Sequence, residues 1–130
     1  MVTKKAILCV DDEAIIVFSL KQELSNYYGD RYIYESAMNA DDAIELVDEL
    51  TGEGTDVCLI ITDWLMPGLK GDEFLIKLKD RHPEIKSILI TGQADESAIQ
   101  RAKEVAGVTA VLEKPWFTED LINAVKTCLD

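Results

Sequence analysis

The chain has 130 residues, 48% of them apolar, with 25 acidic against 13 basic side chains and a formal charge of −12. That length holds one core and not two, no run approaches the roughly eighteen apolar residues of a membrane span, and residues 1–5 lack the apolar centre of a signal peptide, so a single soluble, cytoplasmic domain over residues 1–130 is expected. The acidic balance repels phosphate backbones and anionic lipid, which argues against direct binding to nucleic acid or to a membrane.

Residues 6–10 form an apolar run of strand type that stops at Asp11, Asp12 and Glu13. From Glu13 the period becomes helical, with Val17, Leu20 and Leu24 on one face and Lys21, Gln22 and Glu23 largely opposite; Gly29 and Asp30 mark the turn that follows. Residues 32–37 mix aromatic, β-branched and polar side chains, as a strand near a sheet edge would. Asn39 is a natural N-cap, Asp41 and Asp42 suit the positive end of the next helix, and Ala43, Val47 and Leu50 form its inward stripe. Residues 57–62 are the most continuously apolar run and end at Asp63, which predicts a central strand buried on both faces.

Residues 66–71 are rich in turn formers, and a helix from about Asp72 presents Phe74, Leu75 and Leu78 until Pro83 stops it. Residues 87–90 form another apolar run, ending at Thr91 and Gly92. Asp95 can cap a helix that carries Ile99, Ala102 and Ala106 and stops at Gly107; its apolar stripe is thin, so it should pack least firmly. A short strand at residues 110–112 is closed by Glu113, Lys114 and Pro115, and Thr118 is expected to cap a last helix whose Leu121, Val125 and Leu129 face inward. Five strands alternating with five helices through short links are the pattern of a doubly wound α/β sandwich. Three cysteines lack metal-ligand spacing; Cys9 and Cys58 lie in apolar runs as small hydrophobes, whereas Cys128 can be exposed.

If the strands are parallel, Asp11, Asp12, Asp63, Thr91 and Lys114 all stand on the C-terminal rim, where open α/β sheets place their ligands. Three carboxylates in one crevice repel one another unless a cation joins them, and acids without histidine or cysteine ligands suit magnesium. The three acids sum to −3, and Lys114 with one divalent ion supplies +3, so the loaded rim is formally neutral. If Asp63 attacks a phosphoryl donor, its charge becomes about −2, leaving a residual near −1 for hydroxyl and amide donors such as Thr91 to stabilise.

The segments Leu8-Cys9-Val10-Asp11-Asp12-Glu13, Ile61-Thr62-Asp63-Trp64-Leu65-Met66-Pro67-Gly68, Ile90-Thr91-Gly92 and Glu113-Lys114-Pro115-Trp116 resemble the receiver domain of two-component response regulators. The resemblance covers essentially the whole chain, with four separated segments in the right order. It implies a flavodoxin-like three-layer sandwich with a five-stranded parallel sheet in the order 2-1-3-4-5. It implies further that Asp63 is the phosphoacceptor, that Asp11, Asp12, Asp63 and the backbone carbonyl of Leu65 hold Mg2+, and that Thr91 and Lys114 grip the phosphoryl group. The donor would be a histidine kinase or a histidine phosphotransfer protein, and the Lys114 to Pro115 peptide would be cis. An output domain or effector protein would read the switch, and a homodimer through the later helices is compatible with the pattern. Such a domain is a switch that assists its own phosphorylation and dephosphorylation rather than an enzyme.

One position departs from the pattern: receivers carry Tyr or Phe three residues before the lysine, and here Val111 stands there. A β-branched side chain cannot swing as a ring does, so the usual coupling from Thr91 is weakened or rerouted. A degenerate receiver acting as a phosphorylation-independent docking module is therefore one alternative. A phosphohydrolase with an aspartyl nucleophile is another, although proteins resembling haloacid dehalogenases carry a second acid where this chain has Leu65. Trp64 and Trp116 read as packing residues flanking the crevice, and His82 as a surface residue beside Pro83. Gln93, two positions after Thr91, is a place where receivers vary.

Overall fold

The computed structural model describes residues 3–92 and 96–129. Strands β1 (Lys5–Val10), β2 (Ile33–Ala37), β3 (Asp56–Asp63), β4 (Lys86–Thr91) and β5 (Ala110–Glu113) form one parallel sheet in the order β2-β1-β3-β4-β5. Helices α1 (Ala14–Tyr28), α2 (Ala40–Gly52), α3 (Gly71–Arg81), α4 (Glu96–Glu104) and α5 (Thr118–Leu129) alternate with them, and one 3-10 turn spans Gly29–Arg31. The strand order, the doubly wound topology and the edge position expected for residues 32–37 all stand.

Strand alternation divides the core in two. Leu8, Val10, Ile60 and Leu89 point to the side of α2, α3 and α4, where they meet Val47, Phe74 and Ala102. Ile7, Cys9, Leu59, Ile61, Ile88 and Ile90 point to α1 and α5, where they meet Leu20, Leu24, Leu121 and Val125. Both faces of β1, β3 and β4 are thereby covered, which explains why their sequences are continuously apolar instead of alternating.

Local signals behave largely as expected. Asn39 accepts the Asp42 N–H at 2.8 Å, so α2 begins on a side-chain cap, and Ala43, Val47 and Leu50 are buried. Gly107 adopts φ +67°, and across it the Val108 N–H returns to the Ala102 carbonyl at 3.1 Å. The cap proposed at Asp95, and Gln93, lie outside the described residues.

Four expectations need correction. Thr118 is the first residue of α5 and not its cap: the Leu121 N–H bonds the Phe117 carbonyl, while the Thr118 hydroxyl donates sideways to Glu23. Cys128 is buried, because Ile122 and Cys128 extend the inward stripe of α5 while Leu129 is only half-buried. α4 buries Ala98 with Ala102, leaving Ile99 half-buried. His82 is not a plain surface residue; its Nε2 lies 2.9 Å from Asp48 Oδ1 and ties α3 to α2. Cys9 fits its reading as a hydrophobe, since burial pushes its thiol up to about 12.

Candidate functional site

Register builds the rim. Val10 pairs with Thr62, so Asp11 and Asp63 leave their strands side by side; Asp63 pairs with Ile90 and Thr91 with Glu113, so Thr91 and Lys114 emerge on the same edge. Backbone bonds carry the ladder past the strands: Trp64 N–H donates to the Ile90 carbonyl at 2.9 Å and Lys114 N–H to the Thr91 carbonyl at 2.9 Å. The Lys114–Pro115 peptide is cis.

Lys114 Nζ lies 2.9 Å from Asp11 Oδ2 and 3.1 Å from Asp63 Oδ1, bridging acids from two strands. The other Asp11 oxygen accepts the Glu13 N–H at 2.8 Å, which fixes the rotamer at the start of α1. Asp12 is exposed, yet one carboxylate oxygen from each of Asp11, Asp12 and Asp63 falls within a set no more than 4.8 Å across. Burial pushes the Asp63 carboxyl above its ordinary range, with the Asp11 charge adding to the shift and the hydrogen bond from Lys114 opposing it. Burial alone would lower the Lys114 ammonium, but its bonds to Asp11 and Asp63 outweigh that and raise it, so it stays charged.

Thr91 is buried at the end of β4 and lines a cleft of about 340 Å3 with Ile99, Lys103, Val111 and Lys114. Val111 is half-buried there and fills less of the space beside Thr91 than a ring would. Leu65 sits in the loop after β3 with its side chain exposed. The donor set is all oxygen and anionic, which fits a hard divalent cation and not a transition metal that prefers imidazole or thiolate.

Two residues beside Asp63 escaped the sequence reading. Gly71 opens α3 so close to the end of β3 that a Cβ there would meet the Asp63 carbonyl oxygen at 2.2 Å and Trp64 Cα at 2.8 Å. In the sequence it is one turn glycine among several. Gly71→Ala should displace the backbone of Asp63 or the helix, at a cost of about 2 kcal/mol by urea unfolding; unchanged stability would show that the approach relaxes freely. Asp72, about where the sequence begins this helix, is fully buried: its Oδ1 accepts the Trp64 Nε1–H at 2.9 Å and its Oδ2 accepts the Arg101 guanidinium, Nε at 2.9 Å. Trp64 is thus a hydrogen-bonding partner as well as packing.

A protein-family model of the response regulator receiver domain matches residues 7–126. The chain belongs to the response regulator receiver family. Sporulation initiation phosphotransferase F of Bacillus subtilis is 31% identical over 123 residues, covering 95% of this receiver and 92% of that protein. The hydrogenase transcriptional regulatory protein HoxA of Cupriavidus necator is 32% identical over 124 residues, and the sensor kinase CckA of Brucella abortus 30% identical over 124 residues. This receiver covers 95% of itself in both matches, but spans only 24% of HoxA and 12% of CckA. A solved CheY-like receiver domain from Methanospirillum hungatei superposes with a TM-score of 0.83 at 31% identity, covering 98% of this receiver and 95% of that chain.

Receiver domains generally act as phosphorelay switches rather than catalysts, pair with histidine kinases and in many cases output domains, and typically take Mg2+ at an acidic pocket. This receiver has the aspartate cluster for one. Among its described residues no helix is long and apolar enough to cross a membrane.

Proposed function

We propose that residues 1–130 act as one receiver domain in which Asp63 accepts a phosphoryl group from a phosphohistidine on a kinase or phosphotransfer protein. An Asp63 carboxylate oxygen attacks phosphorus, the phosphorus–nitrogen bond breaks, and the electron pair leaves with the imidazole. The observation that carries this reading is the Lys114 ammonium held between Asp11 and Asp63, already placed to pair with the phosphoryl oxygens as Asp63 gains charge. Thr91 would donate its hydroxyl to a second oxygen. Asp11, Asp12, Asp63 and the Leu65 carbonyl would hold Mg2+, whose contribution when bound is to neutralise the acids and the incoming phosphoryl charge. By the same groups the domain assists its own phosphorylation and dephosphorylation.

The relay would run in the cytoplasm and end on an effector protein or a further domain, with a homodimer through the later helices as one form of output. The acidic surface disfavours direct contact with nucleic acid.

The test is incubation with acetyl phosphate and Mg2+ followed by intact mass measurement. Wild-type protein should gain one phosphoryl group and Asp63→Asn none; an adduct that survives in Asp63→Asn, or steady turnover of phosphate esters, would overturn the reading. Because Val111 makes none of the bonds that hold Asp63, Val111→Ala should phosphorylate at the wild-type rate. Loss of labelling in a folded Val111→Ala protein would show that Val111 belongs to the transfer step.

A further inference from the structure

Lys114 reaches the acids from the edge of the sheet. It follows β5, the shortest strand, which has a neighbour on one side only, and the chain leaves the sheet at once through Pro115 and Trp116. Rate in phosphoryl transfer depends on charges being held in place, so the rim needs something that fixes this segment relative to Asp11 and Asp63.

We propose that Glu23 on α1 is a positioning residue for Lys114, clasping the β5–α5 segment onto the helix that begins at the acidic rim. Its Oε1 accepts the Trp116 indole N–H at 3.1 Å and the Thr118 hydroxyl at 2.5 Å. Glu23 is half-buried, and it lines one groove of about 360 Å3 with Ile16, Lys114, Pro115 and Trp116. The two ends of the clasp matter together. α1 starts three residues after Asp11 and is locked to it by the Glu13 N–H bond, while Trp116 and Thr118 lie two and four residues beyond Lys114. One carboxylate oxygen therefore adds a second tie between the β1 acid and the β5 amine, beside the backbone bond from Lys114 to Thr91. A carboxylate is also the acceptor that makes such a bifurcated contact strongest, since both donors point at a charged oxygen. In the sequence Glu23 is an unremarkable acid on the polar side of an amphipathic helix.

This inference rests on the phosphoacceptor reading, and two measurements separate them. At saturating Mg2+ and acetyl phosphate, Glu23→Ala should label Asp63 at least tenfold more slowly, whereas Glu23→Gln, whose carbonyl oxygen still accepts both bonds, should restore the rate to within about twofold of wild type. In metal-free protein with 15N-labelled lysine, the Lys114 ammonium signal, protected by its two carboxylates, should exchange faster with solvent in Glu23→Ala and recover in Glu23→Gln. An alanine variant with wild-type labelling and a wild-type ammonium signal overturns the positioning role, as does a loss that glutamine fails to rescue. If Glu23→Ala does not fold, Thr118→Val and Trp116→Phe, each removing one donor, must show the same two changes in smaller degree, and their silence overturns it equally. A wild-type protein that takes no phosphoryl group overturns the phosphoacceptor reading alone, and the ammonium measurement still decides the clasp.

Discussion

Lys114→Ala is expected to damage both stability and chemistry more than any other single change at the rim. Asp11 and Asp63 are 1% and 6% exposed, and the ammonium is the cation that bridges them. Removing it leaves two neighbouring carboxylates out of water and unpaired, a change that typically costs about 3 kcal/mol or more. In metal-free buffer the urea midpoint should fall accordingly, and millimolar Mg2+ should recover more stability in the variant than in wild type, because the ion then takes over the neutralisation. Labelling by acetyl phosphate should drop by about 100-fold or more, as expected when one donor to a developing anion is lost. The pH dependence has a defined sign. Although burial opposes them, the two acids raise the ammonium above its ordinary range, so its stabilising contribution is intact through neutral pH and disappears only as pH climbs through the elevated lysine range. A Lys114→Ala protein as stable as wild type in the absence of metal would mean that the proximity of the acids carries no energetic penalty.

The second large effect lies behind the rim, at Asp72. This fully buried carboxylate joins Trp64, the residue after Asp63, to Arg101 on α4, whose side chain is 50% exposed. Arg101→Ala leaves the buried charge without its cation and should cost about 3 kcal/mol. Asp72→Asn keeps an acceptor for the indole N–H and introduces no buried charge, so it should cost less, about 1 kcal/mol. The order is the test: if the asparagine variant unfolds at lower urea than the alanine variant, the buried charge does not govern stability at this position. The same three residues give α4 a polar connection to the end of β3, on the side of the sheet where Val111 replaces the usual ring.

Much of this molecule was legible in its residues. Burial on both sheet faces makes β1, β3 and β4 continuously apolar, and an acid, a hydroxyl or an amine at the point where each apolar run stops reveals a shared rim before any coordinates are known. Asn39 and Gly107 announced their helix ends because a cap and a left-handed turn have few residue solutions. What escaped was nonlocal. Asp72 is surrounded in sequence by polar residues, and its burial follows from Trp64 and Arg101 closing over it from two other elements. Gly71 is required by the backbone of β3 eight residues earlier, which no turn propensity encodes. Thr118 matched the pattern of a cap, but Glu23, 95 residues away, takes its hydroxyl. Cys128 and His82 were misjudged for the same reason, since a terminal position and a helix end suggest exposure only until a neighbouring layer is laid against them.

Trp64 follows the aspartate at the rim, is 8% exposed, and has the Lys70 ammonium 5.0 Å from its ring centroid and the buried Asp72 on its indole nitrogen. An indole fixed between opposite charges has an emission energy set by the local field, so any added negative charge one residue away should shift its fluorescence. The domain thus contains an intrinsic optical gauge of its own charging, readable in real time.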